Sequence, residues 1–298
     1  MFIRLFFLTL LLLANTAHAT LNVLACEPEW AALTRELAGD LARVSSATTA
    51  RQNPHHIEAR PSLIARARNA DLLVCTGADL EIGWLPLLTR ESGNARIQPG
   101  QPGYFEAAAH VRLLEKSGIA DRAQGDIHPG GNPHLHADPR NLLSVANALA
   151  RRLADLDPAN AAQYAARNQN FQKRMGAAIA RWDQEAAPLR GAPVAVQHRS
   201  WSYLADWLGL NVVADLEPKP GIEPSVASLA NLLQGLKARP ARMILRTPYQ
   251  SPKPAEWLAE RAGIDAVELP YTVGGSARAT DLFGLFDDTL AKLKGGLK

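Results

Sequence analysis

The feature that most constrains the fold is a rhythm that runs twice along the chain. Short apolar runs alternate with amphipathic stretches from Leu21 to Arg90, lapse, and begin again at Val194. In the first half, residues 21–26, 41–45 and 71–75 read as strands, with helices at 28–38, 61–69 and 82–90, the last despite Pro86. In the second half, strands at 194–197, 211–214, 242–246 and 266–269 are separated by helices at 201–208, 226–236 and 255–261. A last helix starts near Asp281. Strands separated by helices are joined by crossovers, which gives βαβ units and a parallel sheet.

Between the two halves lie segments of a different kind. Residues 98–138 are rich in Gly, Pro and His, and a connection that long inside a compact domain points to function. Residues 141–156 follow, and then 158–187, which carries no strand signal. There Tyr164, Phe171, Met175, Ile179 and Trp182 recur at helical spacing, with Asp157 as N-cap and Pro158 at the first helical position. At 1.5 Å per residue this helix spans roughly 40 Å, enough to bridge two lobes. The expectation is an α/β chain of two doubly wound βα lobes, 20–157 and 188–298, joined by one long rigid helix at 158–187. Its ligand would sit in the interlobe cleft, at the C-terminal ends of the strands.

Residues 1–19 predict export. Arg4 lies in a short positive start, residues 5–14 are apolar, and Ala17-His18-Ala19 is a small-x-small cleavage site, the pattern of a cleavable signal peptide. About ten apolar residues are too few for a permanent span, which takes roughly 20. No cysteine stands at the junction, so the expectation is a soluble periplasmic monomer without a lipid anchor. Of 298 residues 47% are hydrophobic, which excludes a disordered chain, and the 32 Lys and Arg against 29 Asp and Glu are dispersed rather than gathered into a nucleic-acid footprint. In an oxidising compartment the two cysteines, Cys26 and Cys75, each end a strand-like run. A disulfide is within reach if those strands are neighbours, with two buried free thiols as the alternative.

The eight histidines carry the chemistry. His55 follows the second strand, His134 lies in the Gly/Pro-rich segment, and His198 directly follows a strand of the second half. Asp281 opens the final helix. These positions are far too distant in sequence for a local zinc-finger motif, so only a tertiary site could gather them. Taken singly, each histidine is more often a surface residue, and Asp281 also reads as an ordinary N-cap. His56, His128 and His136 are read as bystanders or auxiliary ligands.

The surrounding residues resemble a known family. Asn53-Pro54-His55 through Glu58, Pro61 and Ser62, then Asn132-Pro133-His134 through Asp138-Pro139, then His198 to Tyr203 and Glu217 to Ser225 are similar, in order, to segments of the zinc/manganese family of periplasmic substrate-binding proteins of ABC transporters. Asn53 stands where that family usually has Asp, and the long His-rich loop of many zinc members is reduced here to His110 and His128. The resemblance implies two lobes on a backbone helix, with His55, His134, His198 and Asp281 as metal ligands. Glu58 is a candidate acceptor for a ligand imidazole N–H.

Three neutral imidazoles and one carboxylate suit tetrahedral Zn²⁺. Mn²⁺ is the alternative, favoured by harder oxygen ligands. The implied function is a receptor that hands zinc to an inner-membrane ABC permease and catalyses nothing. A secreted zinc hydrolase is the rival from another class, but the chain has no H-E-x-x-H or G-x-S-x-G signature. A metal-dependent adhesin has no positive sign. Val273-Gly274-Gly275-Ser276 lacks the following Lys of a phosphate loop and reads as a turn.

Overall fold

The computed structural model describes residues 20–116, 118 and 125–297; the signal peptide expected at 1–19 lies outside them. Strands β1 (Leu21–Ala25), β2 (Ala42–Ser46), β3 (Leu72–Cys75) and β4 (Tyr104–Glu106) form one sheet in the order β2-β1-β3-β4. Helices α1 (Pro28–Ala38), α2 (Pro61–Arg68) and α3 (Leu85–Ser92) fill its crossovers. Helices α4 (Pro139–Leu156) and α5 (Ala161–Glu185) lead to the second sheet, β5 (Pro193–Val196), β6 (Asn211–Asp215), β7 (Met243–Arg246) and β8 (Asp265–Glu268). Its order, β6-β5-β7-β8, repeats the first. Its crossovers hold α6 (Ser202–Leu208), α7 (Val226–Ala238) and α8 (Lys253–Ala262), and α9 (Leu282–Gly295) closes the chain. Every strand pair is parallel.

Alternation along each strand builds the layers. In β1, Leu21, Val23 and Ala25 face a central core while Leu24 faces an outer one beneath α2 and α3; β3 divides in the same way, Leu72 and Val74 against Leu73 and Cys75. In the second sheet Val194, Val196, Met243 and Leu245 face that same central core, and Ala195 and Ile244 an outer one. Helix α5 supplies Tyr164, Phe171, Met175, Ile179 and Trp182 to the centre, all buried. The two sheets therefore share one continuous apolar layer with α5 inside it, which resists independent motion of the lobes.

The long helix is shorter than the 158–187 expected. Pro158–Asn160 form a 3-10 turn, so α5 has 25 residues and runs about 37 Å. Asp157 stands at the N-cap position of that 3-10 turn, with Pro158 following as expected, but its carboxylate bonds no backbone amide of the turn and accepts instead from Asn160 Nδ2 and Tyr164 Oη. The third helix starts at Leu85 rather than 82, because Pro86 belongs in a first turn and cannot sit deeper. The segment at 98–138 also holds a strand that pattern reading missed. Its three residues, Tyr104–Glu106, are too few to show a period.

β1 and β3 are neighbours, and their register carries Cys26 beside Cys75, with Cα atoms 4.8 Å apart and the sulfurs bonded. The bridge closes a loop of 49 residues just below the C-terminal edge of the first sheet.

Candidate metal centre

Both sheets present their C-terminal edges to one cleft. His55 lies on the connection from β2 to α2, His134 on that from β4 to α4, and His198 follows β5 by two residues. All three are buried, and one ring nitrogen of each lies within 4.8 Å of the others. Tetrahedral geometry sets the test. Two nitrogens about 2.05 Å from a zinc ion lie about 3.3 Å apart, and their ring centres, about 3.2 Å from the ion, lie about 5.2 Å apart. His134 Nε2 and His198 Nε2 are 3.3 Å apart. The ring centres are separated by 5.3 Å for His55 and His134, 5.3 Å for His134 and His198, and 5.7 Å for His55 and His198. These spacings are close to those of three vertices of a tetrahedron.

The two Asn-Pro-His sequences act alike. Asn53 Oδ1 accepts from the His55 amide at 3.1 Å and Asn132 Oδ1 from the His134 amide at 2.9 Å, each a local turn that aims the next side chain. A carboxylate would accept the same hydrogen bond, so Asn53 in place of Asp leaves the turn intact. Trp84 Nε1 donates to the Pro54 carbonyl, and Gly83 packs closely beneath the segment, where a Cβ would lie 3.0 Å from the His55 carbonyl oxygen. Asn132 also reaches across the cleft, donating to the Arg199 carbonyl and to Ser202 Oγ, while Tyr203 Oη donates to its own carbonyl. The His134 segment is thereby tied to the element that carries His198.

The outward nitrogens are held as metal ligands require. His198 Nδ1 donates to Glu217 Oε2 at 2.7 Å, and Gly221 N and Gln250 Nε2 hold the same carboxylate. His134 Nδ1 pairs with Tyr271 Oη at 2.7 Å. Glu217, an acceptor only, fixes the tautomer that leaves the His198 Nε2 lone pair facing the cleft, and Tyr271 Oη can accept from His134 Nδ1 to allow the same tautomer there. His55 Nε2 is buried with no hydrogen-bond partner. Burial first, then the neighbouring imidazoles, hold His55 and His134 well below the ordinary histidine pKa. Both are therefore neutral donors at neutral pH.

A prediction about proton release follows. Metal binding expels protons from imidazoles that carry them, and at pH 6.0 three rings titrating near 6.5 would together release roughly two. With His55 and His134 already neutral, zinc binding at pH 6.0 is expected to release fewer than about one, read by titration calorimetry in buffers of different ionisation enthalpy. Release near two would contradict the depressed pKa values.

The remaining candidates fall elsewhere. The structure does not bring Asp281 to the histidines: it is exposed at the start of α9, where its Oδ1 accepts from Gly284 N at 2.7 Å. The chain has already crossed the cleft at Tyr271, ten residues earlier, so the N-cap role holds and the liganding role does not. Glu58 is exposed. Glu217 and Tyr271 take the acceptor role expected of it, and neither was assigned a role from sequence, although both follow strands at the C-terminal edge. His136 is buried away from the cluster, with Nε2 on the Tyr271 carbonyl and Nδ1 3.2 Å from Glu29. Thr272 Oγ1 donates to the same Glu29, which fastens the segment carrying Tyr271 to α1. His56 is exposed and pairs with Asp126, and His110 stacks on Phe105.

Residues 23–296 match the family profile described as "Zinc-uptake complex component A periplasmic". The chain belongs to that family. Its similarity to named members is low but extended. It is 26% identical over 252 residues to the high-affinity zinc uptake system protein of Bacillus subtilis, covering 83% of this chain and 77% of that protein. It is 25% identical over 242 residues to the zinc-binding lipoprotein AdcA of Streptococcus pneumoniae, covering 78% of this chain and 46% of the relative. A manganese ABC transporter substrate-binding lipoprotein of Streptococcus gordonii matches at 27% over 150 residues, half of this chain and 46% of that one. The chain thus spans about half the length of several relatives it matches. Among solved structures, a crystal structure of a family member, ZnuA, superposes with a TM-score of 0.77 at 24% identity, covering 94% of this chain and all of that one. A cadmium-bound periplasmic metal-binding protein of Candidatus Liberibacter asiaticus gives 0.76 at 17%, covering 93% of this chain and all of that one. At these identities the two structures support the fold alone.

Proposed function

We propose that the chain is a periplasmic zinc receptor, which binds one Zn²⁺ between its lobes through His55, His134 and His198 and presents it to an ABC permease in the inner membrane. The observation that carries this reading is the convergence of three buried imidazoles, two from one lobe and one from the other, at the spacing of a tetrahedral N-donor shell. Family membership supports the transport role, and the sequence of residues 1–19 supports export with cleavage after Ala19.

The donor set favours zinc. Mn²⁺ prefers oxygen donors and higher coordination numbers, whereas imidazole nitrogens at tetrahedral spacing suit zinc. The charge arrangement points the same way. Glu217 lies behind His198 rather than among the ligand atoms, so it strengthens the imidazole as a donor without adding a hard ligand. A hydrolase would need a carboxylate free to accept a proton from metal-bound water. Glu217 is instead spent on three donors.

Competition tests the assignment. The chain stripped of metal and then offered equal Zn²⁺ and Mn²⁺ is expected to hold one zinc ion and essentially no manganese by elemental analysis. Stoichiometric manganese would overturn the choice of metal while leaving the receptor role standing.

A further inference from the structure

We propose that His128 is the fourth zinc ligand, carried by a loop that docks across the cleft onto the second lobe. The proposal rests on the zinc-receptor reading and completes it, since the three histidines above leave one vertex of the tetrahedron open.

The geometry places His128 beside that vertex. Its ring centre is 5.1 Å from that of His55, the spacing of adjacent ligands, and 6.5 Å from that of His134, a little more than 1 Å too far. Both ring nitrogens are shielded from solvent, and neither makes a hydrogen bond of good geometry. An imidazole pays for such burial unless something binds it. Of the carboxylates nearby, Glu217 holds His198 Nδ1 and Asp281 caps α9, while Asp126 Oδ2 lies 3.3 Å from His56 Nε2 and, like the His128 nitrogens, is buried without a hydrogen bond of good geometry. A cavity of about 300 Å³, bordered by His55, His56, Asp79, Asp126 and His128, gives the ring room to move.

The loop that carries His128 fits the other lobe closely. Asp126 N donates to the Pro220 carbonyl at 2.8 Å. Gly125 has φ +92°, and a Cβ there would lie 2.1 Å from that carbonyl oxygen; Gly221 has φ +77°, and its Cβ would lie 2.2 Å from Asp126 Oδ2. Each glycine makes room for the other's loop, and both conformations disfavour a side chain. Gly221 N donates in turn to Glu217 Oε2, the oxygen that receives His198 Nδ1–H. One run of contacts therefore links a ligand of the second lobe, through Glu217, Gly221 and Pro220, to Asp126, two residues from His128. With the loop docked, His128 stands beside His55, with its ring centre 6.5 Å from that of His134. With it displaced, one face of the site is uncovered.

The test uses the full chain with Zn²⁺ and with Co²⁺ as a spectroscopic substitute. His128→Ala is expected to weaken zinc about a hundredfold in competition with a chelator. It is also expected to alter the visible Co²⁺ bands and to reduce the imidazole count at the zinc X-ray absorption edge from four to three. Gly125→Val, which keeps every ligand residue but forces the loop off Pro220 and carries His128 away with it, is expected to weaken zinc in the same direction. His110→Ala is the control that leaves binding unchanged. Unaltered affinity and Co²⁺ bands in His128→Ala, or three imidazoles in the parent chain, would overturn this assignment alone. A parent chain that holds no zinc would overturn the receptor reading and this assignment with it.

Discussion

Replacing His134 with alanine is expected to weaken zinc binding by about 10² to 10³-fold, so that a chain purified without added metal carries none. Structural zinc sites release about 10–16 kcal/mol on binding, which over four ligands is about 2.5–4 kcal/mol each, and every 1.4 kcal/mol is about tenfold. His134 stands at the centre of the set, with its ring in van der Waals range of both His55 and His198 and only 1% of its surface exposed. Its loss leaves a single inner imidazole on each lobe, His55 and His198, and strips Tyr271 Oη of its partner. The fold should survive, because the His134 segment is still held by Asn132 and Tyr203. A far-ultraviolet spectrum unchanged from the parent, with zinc affinity lowered as stated, is the expected pair of results. Affinity within threefold of the parent would show that the metal lies elsewhere.

Trp182→Ala is expected to cost about 3–5 kcal/mol of stability and to lower the melting temperature by roughly 10 °C, in one transition. Trp182 is fully buried on α5 and packs against Trp207 of α6 and Phe286 of α9, with its Nε1 donating to Asp287. It lies in the apolar layer to which both sheets contribute, Val23 and Leu72 from one, Val194 and Met243 from the other. A cavity there loosens both lobes together, so calorimetry should show a single shifted peak. Two peaks, only one of them displaced, would mean that the lobes fold independently and that α5 is a connector rather than a shared core.

That shared layer also bears on how such a receptor works. Large hinge opening would tear apolar surface between α5 and both sheets, at about 25 cal/mol per Å² exposed. Displacing a small loop such as 125–131, which meets the second lobe mainly at Pro220 and Gly221, exposes far less surface.

Much of this was legible in the sequence for a physical reason. Parallel strands buried on both faces are short apolar runs, and the crossovers between them are amphipathic, so the alternation of the two halves follows directly from burial. The Asn-Pro-His repeats were legible because a turn that aims a ligand needs a local acceptor, and both Asn side chains supply one. What sequence did not show is tertiary. Glu217 and Tyr271 serve His198 and His134 from 19 and 137 residues away, with no local pattern to mark them. Asp281 carried a real local signal, that of an N-cap, and local signals do not say which face of the molecule a helix starts on. His128 lies in a Gly/Pro-rich stretch without periodicity. Only its docking beside Pro220 brings it near His55.

The central claim, that one zinc ion is held between the lobes by these histidines, is tested most directly by titrating the metal-free chain with Zn²⁺ against a competing chelator. The account predicts saturation at one ion per chain with tight affinity, and loss of that binding in His55→Ala, His134→Ala and His198→Ala alike. No stoichiometric zinc, or a site indifferent to all three substitutions, would contradict it.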